Sequence, residues 1–158
     1  MARSGIYHPS DGEDEPADMC PARGSQFPGT FFCYYNWDFN AAGTAFEKLT
    51  GKNIYDALES DLARPIGMQD FDRSRQKKDT AMPNSVHPLY HMYLSTRDMA
   101  RLGLLMLREG NWNGKQLLDP NWVKFMTTLV TPVSELFPHG FRVAAEQGQG
   151  RWGFGVMW

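Results

Sequence analysis

No hydrophobic run in this chain approaches the roughly 20 residues that a helix needs to cross a bilayer. Neither sign of charge dominates. Sixteen Lys and Arg stand against 18 Asp and Glu, a formal net charge of −2. That balance gives no electrostatic reason to expect nucleic acid or an anionic membrane surface as a partner. The first nine residues, Met1 to Pro9, have no apolar stretch of the kind a signal peptide carries, and localisation stays open. No internal repeat is visible. Cysteine is scarce, with only Cys20 and Cys33. A disulfide between them requires Cα atoms within about 7 Å, and sequence alone does not supply that distance. Cys33 lies in an apolar run, which favours a buried inert thiol. What the chain does have is apolar content: 42% of its 158 residues are hydrophobic, enough for one domain with a core.

The entry, residues 1–30, reads as irregular. Asp11, Glu13, Asp14, Glu15 and Asp18 form an acidic loop whose spacing fits no calcium site. Pro28-Gly29 suits a tight turn. It aims the chain into the β-prone aromatic run Phe31-Phe32-Cys33-Tyr34. A helical pattern follows at once, with Phe39, Ala42, Phe46 and Leu49 on one stripe. Asn36 can cap that helix and Asp38 complements its dipole. Gly51 is placed to end it in a left-handed residue. Asn53 is the expected cap of a second helix carrying Ile54, Tyr55, Leu58 and Leu62, which Pro65 stops.

Asp70 to Asp79 reads as a charged, exposed loop, and Ala81 to His91 as turn-rich. Ser95 opens a third helix, with Asp98 completing a capping-box-like pair. Met99, Leu102, Leu105 and Met106 are its expected buried stripe, and Gly110 closes it. Asn113-Gly114 is a hairpin-turn candidate. Asp119-Pro120 starts a fourth helix, with Pro120 at the first position and Trp122, Val123 and Met126 as its apolar face. Residues 131–150 read as irregular. Trp152, Phe154, Val156 and Trp158 alternate, as in a strand. The reading is a mostly helical chain with one strand at its end.

Most chemical signals have a bland explanation. Ser74-Arg75-Gln76-Lys77 matches Ser-x-x-Lys literally, but in a charged loop with no oxyanion donors arranged around it. Gly148 to Gly153 matches G-x-G-x-x-G, yet lacks the strand before and helix after that a dinucleotide site needs. His87 and His91 are four apart, but Pro88 intervenes and no third metal ligand is apparent. No metal or organic cofactor is expected. Tyr34 and Asn36 are different. A helix entry needs only one capping residue, so a phenol two positions before it asks for another reason.

Tyr34-Tyr35-Asn36, with Phe39 and Gly43 after it, resembles the Tyr-x-Asn motif of the serine β-lactamase and penicillin-binding-protein superfamily. It is most like the class C β-lactamases, their esterase relatives and the nylon-oligomer hydrolases. Four further segments stand in the family's order: Phe46-Glu47-Lys48-Leu49-Thr50-Gly51, Ile66-Gly67-Met68, Ser95 to Gly103, and Gly153-Phe154-Gly155. Tyr-x-Asn alone is a weak signal; the collinear set spans nearly the whole chain.

The resemblance implies an α/β fold, β-lactamase-like and transpeptidase-like, of which this chain would supply mainly the helical subdomain plus one C-terminal strand. It implies a serine hydrolase acting on a small-molecule amide, ester or lactam through an acyl-enzyme. Tyr34 would move protons, and Asn36 would hydrogen-bond substrate and a lysine. The family's Ser-x-x-Lys precedes the tyrosine at the start of an apolar helix. No such motif precedes Tyr34, and the family's late Lys-Thr-Gly or His-x-Gly is also missing, since His139-Gly140 stands before the last strand. Residues 1–158 therefore read as a partial domain without its nucleophile segment and closing strands, expected to be inactive alone. The alternative is a non-catalytic helical module, a degenerate relative that binds a ligand or a partner chain.

Overall fold

The computed structural model describes residues 2–8, 20–34, 36–80, 85–135 and 153–156. The acidic loop, Tyr35, His139-Gly140 and all of the glycine-rich match but Gly153 lie outside them. Helix α1 (Asn36–Thr50) is the longest element. Its entry begins at Asn36 itself, one residue earlier than a cap at that position would put it, a difference within the ordinary fraying of helix ends. Gly51 follows with φ +67°, in the left-handed conformation that costs glycine least. Phe39, Ala42 and Phe46 are half-buried as the stripe requires, but Leu49 in the last turn is 87% exposed.

Helix α2 (Ile54–Ala57) is capped as expected: the Asn53 side chain accepts from the backbone N–H groups of Tyr55 and Asp56. It continues into a π-helical turn, Leu58–Ala63, where Arg64 N–H reaches back to the Glu59 carbonyl. Ile66, just beyond Pro65, is fully buried.

The charged stretch 70–79 is not simply a loop. It holds a 3-10 turn, Arg73–Arg75, and strand β1 (Lys77–Asp79), which pairs antiparallel with β2 (Leu89–His91). Sequence reading missed both strands because β1 carries three charged residues and no alternation. Its stabilisation comes from outside. Lys78 lies opposite Tyr90, places its ammonium over that ring and ion-pairs with Glu47 of α1. The Tyr55 hydroxyl donates to the Lys77 carbonyl at 2.5 Å. The Tyr90 ring in turn lies against Gly43 of α1, where a Cβ would sit 2.5 Å from its Cδ2.

Ser95 caps helix α3 (Thr96–Leu107), its hydroxyl accepting from Asp98 N–H. The reciprocal half of the expected capping box is absent among the described contacts. Asp98 is fully buried, and its carboxylate accepts from the N–H groups of Gln69 (2.9 Å) and Asp70 (3.0 Å). It fastens the Ile66-Gly67-Met68 segment to α3. Leu105 is the buried centre of the stripe, while Met99 is 45% exposed. Arg101 occupies the inner face instead, donating to the Ile66 carbonyl.

Strands β3 (Asn111–Trp112) and β4 (Lys115–Gln116) form a hairpin. Its turn residues, Asn113 (φ 50°) and Gly114 (φ 83°), are both left-handed, as a tight hairpin requires. Asp119 caps α4 (Pro120–Met126), with Pro120 at its start. Val123 is buried there, but Trp122 is 51% exposed. Of the expected C-terminal strand, Trp152 and Trp158 lie outside the described residues, and Phe154 forms an antiparallel bridge with Thr131. Gly153 permits it, since a Cβ there would lie 2.5 Å from the Thr131 carbonyl oxygen. The described residues hold two short antiparallel pairs, which the sequence did not foretell as a pair of sheets, alongside the helices.

Candidate functional site

Tyr34 ends segment 31–34, which forms no strand despite its β-prone residues, and Asn36 opens α1. Two anchors hold this corner. Cys33 N–H donates to the Ala2 carbonyl at 2.8 Å. Cys33 is also joined to Cys20 in a disulfide, with Cα atoms 5.9 Å apart. The expectation of an inert thiol is therefore corrected. Cys33 is buried because the bond packs with Cys20 against Tyr7 and Phe31.

The Tyr34 side chain is half-buried. Its ring packs beside Ala2 and Phe32, 5.5 Å from Phe39 and 6.1 Å from Phe154, centroid to centroid. The aromatic body is thus fixed from several sides without the residue being sealed in. Asn36 is likewise half-buried. Phe39, one turn into the helix, is what ties the phenol to α1.

The next two helical residues open onto a cleft of about 470 Å³. Trp37, Ala41, Phe125, Val130 and Val156 make its apolar walls, and Arg3, Ser4 and Asp38 its polar end. Tyr34 and Asn36 are not among its lining residues, so the cavity and the sequence-derived pair are adjacent along the chain but distinct. The Ser4 hydroxyl donates to Asp38 Oδ1 at 2.6 Å and accepts from Ile6 N–H. Burial pushes the Asp38 carboxyl above the usual aspartate range, and the Ser4 hydrogen bonds pull it partly back. Sequence reading gave Asp38 only a dipole role, because nothing local foretells contact with Ser4. Arg3 donates to Thr131 Oγ1 at 2.9 Å and pairs with Glu135 at 2.5 Å.

The remaining candidates fall away from this corner. Ser74 is exposed on its 3-10 turn, donates to Asp72 at 2.6 Å, and is separated from Lys77 by the change into β1. His87 meets Trp37 edge-on at 5.0 Å, while His91 stacks on Tyr93 at 6.1 Å. Among the described residues no three His, Cys, Asp or Glu groups are placed to hold a metal ion, and no helix is long and apolar enough to cross a membrane.

Compared with known proteins, residues 2–158 match the family model described as Beta-lactamase. A search of curated proteins finds no match.

Proposed function

The chain belongs to the Beta-lactamase family, a serine-hydrolase-like family whose domain agrees with the mixed helix and strand content, and from that premise we propose its part in the chemistry. Tyr34 serves as the proton-moving phenol of an acyl-enzyme serine hydrolase. Asn36 is the carboxamide that holds a small amide, ester or lactam substrate. The observation that carries this reading is the match across almost the whole chain combined with a Tyr34 that is packed by its ring yet half-exposed.

The chemistry sets what else is needed. A free tyrosine titrates near pH 10 and is a poor base at neutral pH. A lysine ammonium beside it favours the phenolate and makes proton transfer from a serine feasible. Backbone N–H groups then stabilise the oxyanion of the tetrahedral intermediate. Within these 158 residues no Ser-x-x-Lys precedes Tyr34. We therefore assign the chain a partial domain, mainly the helical subdomain, that turns nothing over on its own. Purified chain incubated with nitrocefin or p-nitrophenyl acetate is expected to release no product above buffer. Turnover that disappears in Tyr34→Phe would overturn the inactivity assignment.

A second reading, a non-catalytic module that binds a ligand or partner, is favoured by one observation. Trp122, Phe125 and Leu129 are each at least half-exposed around α4, more apolar surface than a solvated helix needs. The coding sequence on either side discriminates: Ser-x-x-Lys upstream and His-x-Gly downstream favour the enzyme, and stop and start signals bounding a stable monomer favour the module.

A further inference from the structure

Residues 2–8 lie against the loop that the Cys20–Cys33 bond closes. Gly24 N–H donates to the Gly5 carbonyl at 3.0 Å, and Gly29 N–H to the Arg3 carbonyl at 2.7 Å. The two backbones meet so closely that a Cβ on Gly5 would lie 2.5 Å from the Gln26 carbonyl oxygen. Tyr7 packs against the disulfide together with Phe31, the two rings edge to face at 6.3 Å. This seat is costly for Tyr7. Its φ is 49°, a left-handed backbone that a bulky residue adopts only when its surroundings force it. Its hydroxyl is buried with no hydrogen-bond partner among the described residues, and an unpaired buried polar group adds to the cost. A covalent tie offsets such costs by limiting the alternatives of the opened chain.

The same segment reaches Tyr34 at its other end. The Ala2 carbonyl accepts from Cys33 N–H at 2.8 Å, and Ala2 packs with Phe32 beside the Tyr34 ring. We infer that the Cys20–Cys33 bond is a redox-sensitive clamp on the Tyr34 corner. Closed, it keeps residues 2–8 docked. Opened by a dithiol, it lets Tyr7 leave its left-handed seat and the segment loosen from Cys33 and Tyr34. Cys20 is half-buried, whereas Cys33 is 2% exposed, so a thiolate of the reductant attacks the Cys20 sulfur. The S–S bond breaks, its electron pair passes to the Cys33 sulfur, which takes up a proton, and a mixed disulfide forms at Cys20. The second thiolate of the reductant then displaces Cys20, which is protonated in turn. Two protein thiols and a cyclic oxidised reductant result. Hydrogen bonds from Arg3 to Thr131 and from Ser4 to Asp38 oppose release. They keep the reduced segment docked part of the time, so the clamp sets how often the corner opens. The inference concerns how Tyr34 is held and not what it does, so it stands whether or not the hydrolase reading does.

The full chain, oxidised and then equilibrated with dithiothreitol, tests it by amide exchange in ¹H–¹⁵N spectra, with thiol counting to confirm reduction. Reduction is expected to speed exchange at Gly24, Gly29 and Cys33 about tenfold or more, the mark of local opening. The Tyr34 ring resonances are expected to shift, the amides of α3 to stay as they were, and reoxidation to restore the first spectrum. A Cys20→Ala, Cys33→Ala chain is expected to match the reduced protein with or without the dithiol. Unchanged exchange at the three amides in a chain with two free thiols would overturn the clamp. So would a bond that the dithiol does not open in the folded chain, or protection lost throughout α3 as well. If the double variant fails to fold, the reversible change in the wild-type chain decides.

Discussion

Gly43 owes its identity to a ring 47 positions away in the chain. A methyl group there would meet Tyr90 Cδ2 at 2.5 Å, and that ring is held by Thr44 and Glu47 through its hydroxyl. Gly43→Ala therefore has to push β2 off α1. It is expected to lower stability by about 1–3 kcal/mol, the usual cost of overpacking. Urea unfolding would show an earlier midpoint with unchanged slope; an unmoved midpoint would refute the packing argument. Asp38 makes a second residue-level case. Its carboxyl titrates higher folded than unfolded because burial disfavours the charge. Between the ordinary aspartate value and the raised one, the folded state binds more protons than the unfolded state. Stability must then fall as pH rises through that window. The depressed carboxyls Glu47, Asp61, Asp70 and Asp72 act in the opposite sense, so total stability hides the effect. The difference between wild type and Asp38→Asn isolates it. Wild type should lose ground relative to the variant as pH climbs from about 4, the ordinary aspartate value; a flat difference would count against the buried carboxyl.

The elements themselves divide by how local their causes are. Caps were readable because one side chain and its neighbouring N–H groups settle them: Asn53, Ser95 and Asp119 each do as their positions foretell. The Asn113-Gly114 turn and the left-handed Gly51 belong with them. Strands β1 and β2 were not readable, because three charged residues form a strand only when Tyr90, Glu47 and Tyr55 arrive from elsewhere. Apolar periodicity located the inner faces of α3 and α4 but not their widths, so Met99 and Trp122 proved exposed. Asp98 looked like half of a capping box and became the clamp on Gln69 and Asp70. The cap of α2 gives the sharpest element-scale expectation. Asn53 also accepts from Arg73 at 3.2 Å, linking α2 to the 3-10 turn before β1. Asn53→Ala is expected to cost about 1–2 kcal/mol, with faster amide exchange in both α2 and residues 73–75. Exchange confined to α2 would show that the Arg73 contact carries nothing.

At the scale of the whole molecule, the family pattern was legible as five collinear segments, and the match over residues 2–158 agrees with it. The disulfide and the cleft were not, since each depends on where distant backbone comes to rest. The chain presents a fixed phenol at the mouth of a long helix, an apolar cleft next to it, and exposed aromatic surface on α4. We propose that this is one part of a hydrolytic centre whose nucleophile stands outside these residues. The most direct measurement is hydrolysis of nitrocefin and p-nitrophenyl acetate by the chain joined to an upstream segment bearing Ser-x-x-Lys at the start of an apolar helix, with and without Tyr34→Phe. The account predicts turnover that falls by about 10²-fold or more in the variant, the scale of a lost proton-transfer group, with the helical circular dichroism unchanged. Equal rates in the two proteins, or no turnover from a correctly folded joined chain, would contradict it.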